Sequence, residues 1–160
     1  IKSTEQPLHS DYFHFSSIPE RYLAGIWIAL EDIHPDSGPL TIVPKSHLLP
    51  TVTLMDLGVD IPRSLVDLKK NNSIYEKYVA AKVEELGLSI KSPTLKKGQY
   101  LCWVANLLHG APTINNNSIT RKSMVVHYHF SECKYYNPGF SDVEASRYQY
   151  RKLEIINKRG

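Results

Sequence analysis

The stretch from Gly98 to Phe130 sets the strongest constraint on how this chain can fold. An apolar run, Gln99–Ala105, leads to His109; Pro112 and an Asn115-Asn116-Asn117 turn follow; a second run goes from Arg121 to Phe130. Tyr, Trp, Val and Leu favour strands, and the Asn-rich break is a turn signal. Two strands joined this way are expected to carry an imidazole and a guanidinium a short distance apart. His109 could then ligate a metal while Arg121 grips an anion.

The remaining apolar runs are short and end at turn residues. Leu8–Phe15 reads as one strand, which would put His9 and Asp11, two apart, on one face. Arg21–Glu31 reads as a strand apolar on both sides, and so buried on both. Leu40–Val43 is a short strand stopped by Pro44, after an Asp36-Ser37-Gly38-Pro39 turn. Thr51–Pro62 is irregular. One helix has clear end signals, Ser73–Gly87: Ser73 as N-cap, Glu76 three residues on, and Gly87 as the stop. Leu88–Thr94 is a further strand candidate, and Asp142–Ile156 a terminal helix candidate. Six or seven short strands with one inserted helix give a mostly β fold, a sandwich or barrel of jelly-roll type. At 160 residues the chain reads as one domain, with 51–96 as an inserted loop and helix and 131–160 as a C-terminal extension.

Composition excludes several classes. Net charge is +3, and Lys69-Lys70 and Lys96-Lys97 are only pairs, so the basic block of a nucleic-acid partner is missing. No apolar run approaches the roughly 20 residues a membrane helix needs, and no signal-peptide pattern is visible. Cys102 and Cys133 cannot build a multi-disulfide scaffold or a Cys-rich zinc site. Two thiols suit a reducing cytosol, so a cytoplasmic location is expected, with a small molecule as partner. The chain opens at Ile1 in sequence that already looks structured, and is expected to be a fragment.

Two His and one carboxylate form a facial triad, which occupies one side of a metal and suits non-haem Fe(II). His9-Ser10-Asp11 and His109 supply that set. A second His-x-Asp pair, His34-Pro35-Asp36, lies in a turn where the side chains need not share a face. Arg121 adds a bidentate carboxylate grip, and Ser123, two residues on, a hydroxyl on the same side. A metal triad plus an anion clamp describes a site for a dicarboxylate that chelates iron at one end and is held at the other. His127 and His129 share a strand face and read as core or supporting histidines.

Four pieces occur in order: His9-Ser10-Asp11; Trp27-Ile28-Ala29-Leu30-Glu31, with Ser37-Gly38-Pro39-Leu40 and Ile42-Val43-Pro44-Lys45-Ser46-His47; Lys97-Gly98 and the strand into Leu108-His109-Gly110; and Asn117-Ser118 with Arg121. Together they resemble the phytanoyl-CoA dioxygenase family of Fe(II)- and 2-oxoglutarate-dependent oxygenases, from about Leu8 to Phe130. The resemblance implies a cupin-like double-stranded β-helix, here lacking the family's N-terminal segment. It implies His9, Asp11 and His109 as iron ligands and Arg121 on the distal carboxylate of 2-oxoglutarate. Trp27 would line the co-substrate pocket and Ser123 would add a contact. O2 would be the oxidant, and a small molecule would be hydroxylated with succinate and CO2 as co-products. His47 matches a histidine closing the Pro-Gly-Ser-His motif. Lys45 departs from that motif's glycine, and Ala111 stands where a serine often follows His-Gly. Two other outcomes stay open: an inactive jelly-roll binding module, and a cupin-like metalloenzyme using His127 and His129 without 2-oxoglutarate.

Overall fold

The computed structural model of the protein describes residues 5–154. Two three-stranded antiparallel sheets carry the architecture. In the first, β1 (Gln6–His9) pairs with β6 (His109–Ala111), which pairs on its other side with β4 (Thr41–Ile42). In the second, β3 (Leu23–Ala29) is central, flanked by β5 (Tyr100–Val104) and β7 (Ser123–His129). A two-stranded ribbon, β2 (Ser16–Ile18) with β8 (Lys134–Tyr136), completes the strands. Among the described residues no helix is long and apolar enough to cross a membrane.

The expected Leu8–Phe15 strand is corrected. β1 stops at His9, Ser10 stays extended, and Asp11–His14 turns into one turn of helix, α1. Asp11 is therefore not on a strand face with His9. The backbone bends because Phe15 N–H bonds back to the Asp11 carbonyl while Tyr12 N–H reaches across to Ala105. β3 also differs from expectation. Leu23, Gly25, Trp27 and Ala29 are buried, but Ala24, Ile26 and Ile28 on the other face are only half-covered, beside exposed Tyr100, Val104, Met124 and Tyr128. An apolar composition does not by itself supply a second covering layer.

The long helix α2 spans Leu65–Glu85, about two turns more than the Ser73 start expected. Its N-cap is Ser64, whose Oγ accepts from Asp67 N–H while Asp67 takes the Arg63 N–H. Asn71, Asn72 and Ser73 are poor helix formers, but Asn71 is buried and donates to the Asp60 carbonyl, so tertiary contact overrides propensity. Asn71, Tyr75, Val79 and Val83, four apart, form the buried edge. That edge packs on Phe13, Val43, Leu54 and Leu108, joining α2 to the first sheet. A second cluster, Trp27, Ala29, Ile33, Leu40 and Trp103, fills the space beside the second sheet.

Two further expectations fail. Leu88–Thr94 contributes a single bridge, Lys91 to Ile42. Residues 142–154 form no helix: Asp142 takes the Ala145 N–H on its side chain and exchanges backbone bonds with Arg147, closing a turn instead. Ile155 and Ile156 lie outside the described residues. Both cysteines are free, Cys102 exposed and Cys133 partly so.

Candidate metal centre

The register of the first sheet sets His9 directly opposite His109. Their rings sit 4.5 Å apart. The bend into α1 swings Asp11 beneath them, and its Oδ1 lies 3.6 Å from His109 Nε2. Ligand atoms of His9, Asp11 and His109 all fall within 4.8 Å of one another. Asp11 and His109 are almost fully buried, while His9 is partly open. The sequence thus names three residues that do converge, but through strand pairing and a helical bend rather than one strand face.

Each imidazole is held from behind. His9 Nδ1 lies 2.8 Å from the Pro7 carbonyl and His109 Nδ1 3.0 Å from the Leu107 carbonyl. A carbonyl only accepts, so Nδ1 carries the proton and Nε2 keeps its lone pair. Such backing is the usual support for a metal-binding histidine. Two imidazole lone pairs and a carboxylate suit a divalent transition ion, and three protein donors leave other coordination positions open.

The electrostatics follow from burial and proximity. Burial alone would raise the Asp11 carboxyl; His127, His109 and the Trp103 N–H outweigh it and hold the group below the usual carboxylate range. Burial pushes His109 down, which keeps the ring neutral. His127 Nε2 comes within 3.3 Å of Asp11 Oδ2, without the alignment of a hydrogen bond, and that carboxylate raises its pKa. His129 meets the Tyr135 ring edge-on instead, with centroids 4.5 Å apart, and is not in the converging group.

A cavity of about 570 Å³ opens in front of these residues, within the range of small-molecule sites. Both sheets line it. Trp27, Leu40, Arg121 and Ser123 line it together with His9, Asp11 and His109, so the expected clamp residues share one cavity with the triad. Arg121 lies just before β7 and donates to the Gly38 carbonyl; burial lowers its pKa. The turn before it is tied down by Asn115 and Asn116 N–H groups on the Asp36 carbonyl. Ala111 is buried on β6 and lines the same cavity. His47 does not; its carbonyl accepts from Asn106.

The neighbour of His47 matters more. Ser46 Oγ accepts the Leu108 N–H at 2.8 Å, anchoring the residue before His109. Lys45, one residue earlier, has φ +70°, a left-handed conformation that costs an L side chain about 1–2 kcal/mol. That is the physical reason a glycine suits this position. Lys45→Gly should raise stability by up to about 1 kcal/mol, net of glycine's entropy cost. A denaturant midpoint unchanged or lower would count against it.

Sequence reasoning missed His14. It lines the cavity from α1, and burial, with His9 nearby, pushes its pKa down to about 4. In the unfolded chain it returns to about 6.5. The unfolded state then binds more protons between these values, so the His14 contribution to stability should fall as pH drops from about 6.5 to 4 and be constant above. An NMR titration midpoint of His14 above 6 would contradict this.

The sequence model described as phytanoyl-CoA dioxygenase (PhyH) matches residues 2–123. Peroxisomal phytanoyl-CoA dioxygenase of Bos taurus is 25% identical over 161 residues, 98% of this chain and 41% of that protein. The chain spans about two fifths of the length of the curated relatives it matches. Among solved structures, the non-heme alpha-ketoglutarate-dependent carbocyclase SnoK of nogalamycin biosynthesis superposes with a TM-score of 0.60 at 20% identity, over 96% of this chain and 55% of SnoK. The epimerase SnoN, in complex with Fe3+, alpha-ketoglutarate and nogalamycin RO, gives 0.56 at 18% identity, over 96% and 57%. These likenesses are of fold.

Proposed function

The chain belongs to the phytanoyl-CoA dioxygenase family, and from that premise we propose that it is an Fe(II)- and 2-oxoglutarate-dependent oxygenase that hydroxylates a small molecule. The observation that carries the reading is the convergence of His9, Asp11 and His109 with both Nδ1 atoms already held by backbone carbonyls. The two three-stranded sheets are read as walls of a double-stranded β-helix, with 51–96 as an insertion and 131–160 as an extension of one jelly-roll domain.

Bound iron and 2-oxoglutarate would supply the oxidising power from O2, with succinate and CO2 as co-products. His9 and His109 would present their Nε2 lone pairs, and Asp11 would offset part of the metal's charge. Arg121 would take the distal carboxylate of 2-oxoglutarate, which offsets the cost of burying its guanidinium. Ser123 would add a hydroxyl donor from two residues on. Trp27, buried against Leu40 and Trp103, would give the cavity an apolar wall that keeps water from the reacting end.

The test is an anaerobic titration of metal-free protein with Fe(II) and then 2-oxoglutarate, following the visible metal-to-ligand charge-transfer band. The band should appear, and should weaken in Arg121→Ala. No band in a folded protein sinks the reading. Because SnoN and SnoK are named for epimerisation and carbocyclisation, turnover is best read by product mass: hydroxylation adds one oxygen atom, and those outcomes do not.

A further inference from the structure

Trp103 and Gly25 form a device behind Asp11 that the triad itself does not explain. Across the second sheet, Trp103 on β5, Gly25 on β3 and His127 on β7 lie in one register row. Trp103 leans over Gly25. A Cβ at position 25 would lie 2.4 Å from the indole Cε2 and 2.8 Å from Nε1, so only glycine leaves room for the ring. In that place the indole N–H donates to Asp11 Oδ2 at 2.8 Å, with both residues about 95% buried or more. The indole also packs on the His109 ring, with centroids 4.7 Å apart.

We infer that Trp103 is a positioning residue, whose indole N–H fixes Asp11 so that Oδ2 is committed to the sheet and Oδ1 is turned toward the metal. The inference rests on the reading of Asp11 as a ligand. Indole has one donor and no acceptor, so it distinguishes the two carboxylate oxygens without competing for the ion. A freely rotating carboxylate would have to be ordered on binding; one already held pays little for it. His127 approaches the same oxygen from the other flank at 3.3 Å, and so leaves Oδ1 undisturbed. Phenylalanine would fill most of the space but lose the N–H.

The test replaces Trp103 by 3-benzothienylalanine, which keeps the bicyclic shape and puts sulfur where the N–H was. Co(II) affinity is measured by its visible absorption for the wild type, this variant and Trp103→Phe. Both substituted proteins should bind Co(II) about 10- to 100-fold more weakly, the usual cost of losing an outer-shell partner. Wild-type affinity in the benzothienyl protein overturns the inference. A second readout needs no metal. The indole N–H resonance of Trp103 should exchange slowly in the metal-free wild type, and should move and exchange faster in Asp11→Ala. If that resonance ignores Asp11, the inference falls. If the resonance responds but wild-type protein binds no metal, the hydrogen bond stands, the metal reading fails, and the positioning role falls with it.

Discussion

His109→Ala is expected to abolish Fe(II) or Co(II) binding and 2-oxoglutarate turnover while leaving the chain folded. His109 sits at the centre of the first sheet's pairing, between His9 and Ile42. Its backbone bonds survive the substitution; only the ring is lost. What disappears is one of three proposed ligands, so the loss should exceed the 10- to 100-fold that outer partners cost. Above 100-fold corresponds to more than about 2.7 kcal/mol of binding free energy. Two controls sharpen the result. His47→Ala and His129→Ala change histidines whose rings lie outside the converging group, and should bind metal as the wild type does. Affinity is read by titration and turnover by succinate release. Retention of metal within threefold in His109→Ala would mean that the three residues meet for structural reasons alone.

The sequence and the structure agree on what converges and differ on why. His9, Asp11 and His109 were legible as a set because His-x-Asp, a weak signal alone, comes in order with three further pieces, and the family resemblance of all four singles those residues out. Arg121 and Ser123, two apart at the start of a strand, were legible as residues of one side, whereas Trp27, which lines the same cavity, was marked by the family resemblance alone. The route was not. Asp11 begins a helical turn, and its place depends on Tyr12 N–H bonding to Ala105, a contact between residues 93 apart in sequence. No local periodicity reports such a pairing. The early start of α2 was hidden for a related reason, since Asn71 looks like a helix breaker until its amide finds the Asp60 carbonyl. Trp103 left only a faint trace. A glycine inside the otherwise bulky run of β3 signals a close approach, but not which side chain approaches.

Tyr75→Ala should be the most damaging single change to stability. Tyr75 is 3% exposed on the buried edge of α2. Its ring stacks on Phe13 with centroids 3.7 Å apart and planes 6° from parallel. Its hydroxyl lies 3.0 Å from both the N–H and the Oγ of Ser10. Truncating a buried aromatic to alanine costs about 3–5 kcal/mol through lost burial and the cavity left behind. The Ser10 N–H then also loses its partner, at about 1–3 kcal/mol if it stays dry. Against a typical total of about 5–15 kcal/mol, that is enough to populate unfolded chain. Tyr75→Phe separates the two contributions: it keeps the stack and removes only the hydroxyl, so it should cost about 1–3 kcal/mol. Denaturant unfolding measures both. Ser10 lies between His9 and Asp11 in sequence, so releasing it should also loosen the two donors it separates. Tyr75→Phe is therefore expected to weaken Co(II) binding without touching a ligand. If Tyr75→Ala unfolds within 1 kcal/mol of the wild type, α2 is an appendage and not a wall of the site. If Tyr75→Phe loses stability but binds metal unchanged, the helix supports the fold and leaves the proposed metal centre to the two sheets.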